Sequence, residues 1–329
     1  MTKRKLINKL AASGLSILLI ASGLYHKQKK EMFSGKFITG LFFHNPSKKR
    51  FERGILWLKK NNCQFISTEQ LINIIKSKEE VKPGMVWITF DDGWQKNISE
   101  VAPILTKYNI PATFFISTGP VEGNGTFWFS LVRIFRSKLP LPFRHDVKQL
   151  WHIEENQRKE IVSNLEQELT SKQFSFEHDR EAMTVADIKK LSENPLITFG
   201  SHTVNHVMSP NCTKEQIRSE IYNSKLKLES WTGKKVYCYS YPNGDFDGRE
   251  LKILTELGFR LAATTHKEFI DPSSNLNLLQ VPRFCVNDDS FFPEALCQMV
   301  GIWGKYMDKL KRKRKTTMMT KNNGLNGSI

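Results

Sequence analysis

The sequence predicts an α/β fold, a parallel sheet covered by helices, and three observations lead there. Dense apolar runs of strand length, Met85–Phe90 and Ala112–Ile116 among them, read as strands buried on both faces. Stretches with apolar residues at helical spacing alternate with these runs, and a βαβα rhythm implies a parallel sheet with its helices outside. The chain has 329 residues, 40% hydrophobic and 25% charged, which suits one large α/β barrel or two smaller domains.

The elements follow in order. Residues 1–30 form a targeting segment: Lys3, Arg4, Lys5 and Lys9 precede an uncharged run from Leu10 to Tyr25. The run is a little short of a bilayer span, and extending its helix back to Leu6 completes one. Ala21-Ser22-Gly23 has the small residues of a cleavage site, but Lys27, Lys29 and Lys30 follow, so an uncleaved membrane anchor is expected. Residues 36–43 are the first strand candidate, ending at His44. Gln64–Ile66 is a short strand, and Ser67 or Thr68 caps the helix after it. Met85–Phe90, a helix over 98–108 and Ala112–Ile116 continue the rhythm.

Residues 120–183 interrupt it with charged helical stretches, read as an insertion that opens on a Gly-rich turn, Gly119 to Gly125. Thr184 then caps a helix over 185–191. Strands at 196–199, 236–240, 260–264 and 279–285 alternate with helices at 214–231 and 248–257. A barrel over 31–292 leaves 293–329 as an amphipathic helix (294–313) and a basic tail, Lys311 to Lys315, which is a second candidate for membrane contact.

The formal net charge of +16 invites a nucleic-acid reading, and its distribution removes it. Residues 1–30 hold seven Lys/Arg and no acid, and 305–329 hold eight against Asp308 alone. The ends therefore carry 14 of the 16 charges, and the middle is nearly neutral. The five cysteines form no C-x-x-C pair and read as small buried hydrophobes.

Three strand ends carry chemistry. Thr89-Phe90-Asp91-Asp92-Gly93 delivers two adjacent carboxylates into a glycine turn. One of such a pair can bind a metal while the other takes a proton from water. Ser201-His202-Thr203-Val204-Asn205-His206 follows another strand, and two histidines four apart can clamp one cation. Tyr239-Ser240-Tyr241-Pro242-Asn243-Gly244 ends a third strand in a rigid turn able to present backbone N–H groups to an oxyanion. The zincin helix is excluded, because Thr203 stands where that motif has Glu.

In this order the three motifs resemble the polysaccharide deacetylases, the NodB-homology carbohydrate esterases, over residues 37–286. The resemblance implies a distorted (β/α) barrel and a hydrolase that removes acetyl groups, mainly N-acetyl, from a glycan or polysaccharide. It implies Asp91 as base, Asp92, His202 and His206 as ligands of a divalent metal, and Tyr241, Pro242 and Asn243 on the acetyl-site loop. Zinc is the expected metal, with cobalt, iron or nickel as alternatives. The catalytic domain is expected outside the cytoplasm, anchored by the N-terminal helix, or secreted if that segment is cleaved.

Three positions depart from the family. Ser240 stands where an Arg is common, Asn243 where a Tyr is common, and the late Leu-x-His acid is missing. Arg283, in Val281-Pro282-Arg283-Phe284, is the candidate to orient Asp91 in place of the missing Arg. His44 is read as a hydrogen-bonding residue at the barrel mouth and His266 as a loop residue. The alternative function is a catalytically weak glycan-binding or assembly protein that keeps the metal site.

Overall fold

The computed structural model describes residues 3–171 and 180–309. Among them lie eight strands: β1 Thr39–Phe43, β2 Gln64–Ile66, β3 Met85–Phe90, β4 Ala112–Ile116, β5 Ile197–Ser201, β6 Cys238–Ser240, β7 Leu261–Ala263 and β8 Phe284–Cys285. The α-helices are α1 Lys3–Ala21, α2 Leu24–Met32, α3 Lys48–Lys60, α4 Thr68–Ser77, α5 Ala102–Tyr108, α6 Thr118–Glu122, α7 Trp128–Ile134, α8 Glu155–Ser171, α9 Val185–Ser192, α10 Lys214–Thr232, α11 Arg249–Glu256 and α12 Phe292–Met299. A further helix covers 302–309.

The strands run parallel in the order β7-β6-β5-β4-β3-β1-β8, with β2 against the first half of β3. The sheet curls until its edges meet. Val281 donates to Ala262 (2.8 Å) and accepts from Thr264 (2.8 Å), while β8 pairs with Leu41 and Phe42 of β1. One short segment, 281–285, therefore touches both edges, and the arrangement is the distorted (β/α) barrel that the motifs imply.

Phe43, Phe90 and Phe114 stack across neighbouring strands (5.5 and 4.8 Å between rings), and Phe51 of α3 closes over them. Capping boxes start α4 (Ser67, Gln70), α9 (Thr184, Asp187) and α10 (Thr213, Gln216), which fixes how each helix leaves its loop.

Four expectations differ in detail. The last strand, expected over 279–285, is a single bridge at Val281 followed by β8, because Pro282 has no N–H to give to a ladder. The helix expected over 98–108 begins as a π-turn, Asn97–Val101, and restarts at Ala102 next to Pro103. The Gly-rich stretch winds into α6 instead of forming a plain turn. The C-terminal helix breaks at Gly301, whose φ is +79° and where a Cβ would strike the Phe284 ring. Leu310 and Lys311 to Lys315 lie outside the described residues.

The N-terminal segment also breaks. Gly23 takes φ +80°, and α2 turns 75° away from α1. Among the described residues no single helix is long and apolar enough to cross a membrane, and α1 and α2 meet that test only together across the bend. One face of α1 is docked on α12: Lys9 pairs with Asp289 (3.0 Å), Leu19 is buried, and the Cys297 thiol faces the Ser16 carbonyl (3.7 Å).

Between β4 and β5, α7 and α8 build a second apolar cluster from Leu131, Val132, Leu139, Leu150, Leu165 and Leu169. Its neighbours Phe127 and Phe129 stack together at 5.1 Å and continue it toward the C-terminal ends of the strands.

Candidate active site

Functional groups of a parallel barrel collect where its strands end. Asp91 and Asp92 follow β3 directly, and the Asp91 N–H is bonded to Phe43 of β1 (2.9 Å). His202 follows β5, its N–H bonded to Ile116 of β4 (3.0 Å). Local backbone strain aims the side chains. Asp92 (φ 76°), Thr203 (φ 67°) and His206 (φ 51°) all occupy the left-handed region, which non-glycine residues adopt at a cost.

The result is a buried three-donor cluster. The His202 Nε2 and His206 Nε2 each lie 3.4 Å from Asp92 Oδ1, and all three residues are buried. Their neighbours orient these donors. The Trp94 indole N–H donates to Asp92 Oδ2 (2.9 Å), which leaves Oδ1 facing the imidazoles. His202 Nδ1 lies 2.7 Å from the Ser240 carbonyl, so its proton sits there and the Nε2 lone pair points at Asp92. Burial depresses the His206 pKa, which favours the neutral, ligating imidazole. Burial alone would raise the Asp92 pKa; the two imidazoles 3.4 Å away prevail and hold it well below the usual carboxylate range. Two neutral imidazoles and one carboxylate, converging with open space beside them, suit a divalent metal.

Asp91 points elsewhere, into a fully buried ion pair. Arg283 donates from Nη1 to Asp91 Oδ1 and from Nη2 to Oδ2, both at 2.8 Å. Its remaining donors are also used: Thr89 Oγ1 and Ser240 Oγ accept at 2.8 Å and the Thr264 carbonyl at 3.2 Å. Phe42 and Phe115 lie against the guanidinium. Burial alone would raise the Asp91 pKa; the charge and hydrogen bonds of Arg283 prevail and lower it. Ser240, the residue that replaces the common loop Arg, is itself bonded to the guanidinium arriving from the last strand.

These groups open into a cavity of about 270 Å³. Asn243 lines it, whereas Tyr241 and Pro242 do not. Tyr241 turns into the core, gives its hydroxyl to the Leu279 carbonyl (2.8 Å) and stacks on Phe246. Only the Asn243 part of the expected loop therefore reaches the cavity.

His44 does line it, beside Asp288, whose carboxylate accepts from the His44 backbone N–H (3.3 Å) and whose pKa burial raises. A place at the barrel mouth is what the sequence predicts for His44, with a structural bond as its role. Its position after β1 was the signal that it faces the site. His266 stays outside, packed on Phe246. Trp94, next to the paired carboxylates, and Phe129, Arg133 and Trp151 of the insertion complete the wall.

One supporting residue had no sequence signal. Glu220 of α10 is buried and accepts from the Val204 N–H (3.0 Å), the Asn205 N–H (2.8 Å) and the Asn205 side chain (2.7 Å). It thus holds the strained turn between the two histidines. Glu220→Gln is expected to lower divalent-metal affinity about 10- to 100-fold, the usual effect of a lost outer-shell partner. A metal titration checks this, and turnover should recover at saturating metal.

Fold and site together define a hydrolase of the carbohydrate-deacetylating class. The family model for polysaccharide deacetylase matches residues 78–262, and the chain belongs to that family, a group of hydrolases acting on non-peptide carbon–nitrogen bonds. Among curated proteins it is similar to the poly-beta-1,6-N-acetyl-D-glucosamine N-deacetylase of Staphylococcus aureus (strain MSSA476), 26% identical over 275 residues, which cover 81% of this chain and 78% of that protein. Among solved structures it resembles IcaB from Ammonifex degensii, with TM-score 0.57, 18% identity and 82% and 97% of the two chains covered. It also resembles the Streptococcus pyogenes deacetylase PplD, with TM-score 0.57, 19% identity and 80% and 98% covered.

Proposed function

We propose that the chain removes N-acetyl groups from a β-1,6-linked N-acetylglucosamine polymer by metal-dependent hydrolysis. The observation that carries this reading is the pairing of the Asp92, His202 and His206 donors with an ionised Asp91 one residue away, held by Arg283. The polymer is the one named for the Staphylococcus aureus relative.

Asp92, His202 and His206 hold the cation, zinc first, with cobalt, iron and nickel as alternatives. When bound it supplies Lewis acidity to the acetyl carbonyl and to the attacking water. Asp91 is the base: it accepts a proton from that water as the nucleophile forms. Arg283 keeps the Asp91 carboxylate ionised and fixed. The backbone N–H of Asn243, the loop residue that lines the cavity, is the proposed donor to the developing oxyanion. His44, with Asp288 beside it, is placed to protonate the departing amine, the role for which the sequence offered no residue.

The outward face of α1, with Leu6, Ile7, Leu10, Ile17 and Leu18 exposed, is proposed to meet a bilayer, the catalytic mouth lying outside the cytoplasm. Acetate release from β-1,6-linked N-acetylglucosamine oligomers tests the activity. Release that stops on chelation and returns with added zinc is the expected result. Hydrolysis indifferent to chelator would overturn the metal-dependent reading.

A further inference from the structure

The catalytic cavity is small for a polymer. A second cleft, about 810 Å³, opens from its side and is walled mainly by the insertion between β4 and β5. Arg133, Trp151 and Asn243 line both spaces and form the junction. Beyond them the cleft is lined by charged groups, Arg136, Lys148, Asp146 and Asp245, together with Val147 and His152.

Trp151 is built into this junction. Trp128 backs its ring at 5.1 Å, and the Arg133 guanidinium lies 5.7 Å from it on the way to Phe129. The Trp151 carbonyl accepts from the Asn211 side chain (2.8 Å), five residues beyond His206. That bond ties the insertion to the segment that follows the metal donors. A partly exposed, braced aromatic ring at the mouth of a cleft with mixed apolar and charged walls suits a pyranose: the ring face takes the apolar C–H face of the sugar, and the charged residues take hydroxyl and acetamide groups.

We propose that this cleft is a binding site for sugar units adjoining the one that reacts, with Trp151 as the stacking platform. The inference rests on the glycan-deacetylase reading for the kind of ligand, and it makes the insertion the determinant of substrate length.

The test is calorimetric binding of the dimer and the hexamer of β-1,6-linked N-acetylglucosamine to the full chain carrying Asp91→Asn, which spares the oligomer from turnover. The hexamer is expected to bind about tenfold tighter, the equivalent of ~1.4 kcal/mol. Adding Trp151→Ala should remove that advantage, and Trp151→Phe should keep most of it. His152 is exposed and lines the cleft without lining the catalytic cavity. His152→Trp, which fills the cleft, should therefore also erase the length dependence, the larger loss falling on the hexamer. Equal affinity for dimer and hexamer, or a preference that survives both Trp151→Ala and His152→Trp, would overturn the proposal. Acetate release by the unmodified chain is scored separately, so loss of the deacetylase reading and loss of the cleft are told apart.

Discussion

Asp91→Asn is expected to lower acetate release about 10²- to 10⁴-fold, the range spanned by a positioned general base. The amide is isosteric, so it can still occupy the pocket beneath Arg283, and its oxygen can still accept one of the two 2.8 Å bonds. What it cannot do is take a proton. Metal content should stay at the level of the unmodified chain, because the donors that converge are Asp92, His202 and His206. Asp92→Asn should do the reverse and weaken metal binding first. Initial rates measured at saturating metal separate the two. Equal metal loss in both variants would mean that the carboxylates share one task.

Arg283→Ala is expected to have the largest effect on stability. The guanidinium is wholly buried and meets both oxygens of a buried carboxylate. Removing one partner of such a pair costs about 3–5 kcal/mol, because the other charge stays in the interior uncompensated.

The pH dependence has a definite sign. With Arg283 present the Asp91 pKa is lowered on folding, so the pair's contribution is complete above the ordinary carboxylate value near ~3.9 and fades as pH falls through the lowered one. Without Arg283 the main opposition to burial is gone and the pKa rises. The penalty is then largest at neutral pH and shrinks on acidification, when Asp91 binds a proton. Denaturant melts at neutral and acid pH read this difference directly. Activity should fall as well, and its rise with pH should begin at higher pH, since the base must be ionised to work. An unshifted profile with unchanged rates would leave Arg283 a packing residue.

Much of this site was legible before any coordinates. Apolar strands running into Asp91-Asp92-Gly93 and into His202 and His206 announce themselves locally, since a parallel sheet gathers its chemistry at strand ends. Arg283 was legible for the same reason, as a cation in an apolar last strand facing a family position that had lost its Arg. The less visible features depend on distant partners. Glu220 sits mid-helix with nothing nearby to mark it, and its role exists only because α10 passes behind the turn after β5. Phe129, Arg133 and Trp151 come from an insertion whose path over the barrel is set by its own apolar cluster and by Asn211, none of it periodic in sequence.

The two terminal helices are shorter than the sequence pattern predicts. In each case a glycine in the left-handed region, Gly23 and Gly301, breaks a run whose apolar spacing continues through it. Spacing reports which face is apolar, and the backbone dihedral decides whether the helix survives.

The most direct test of the central claim is metal analysis of three purified chains: unmodified, Asp91→Asn and His206→Ala. About one tightly held divalent ion is expected in each of the first two, as three protein ligands with open positions imply, and loss of that ion from His206→Ala. Full metal content in His206→Ala, or its disappearance from Asp91→Asn, would contradict the division of the site into a metal triad and a separate base.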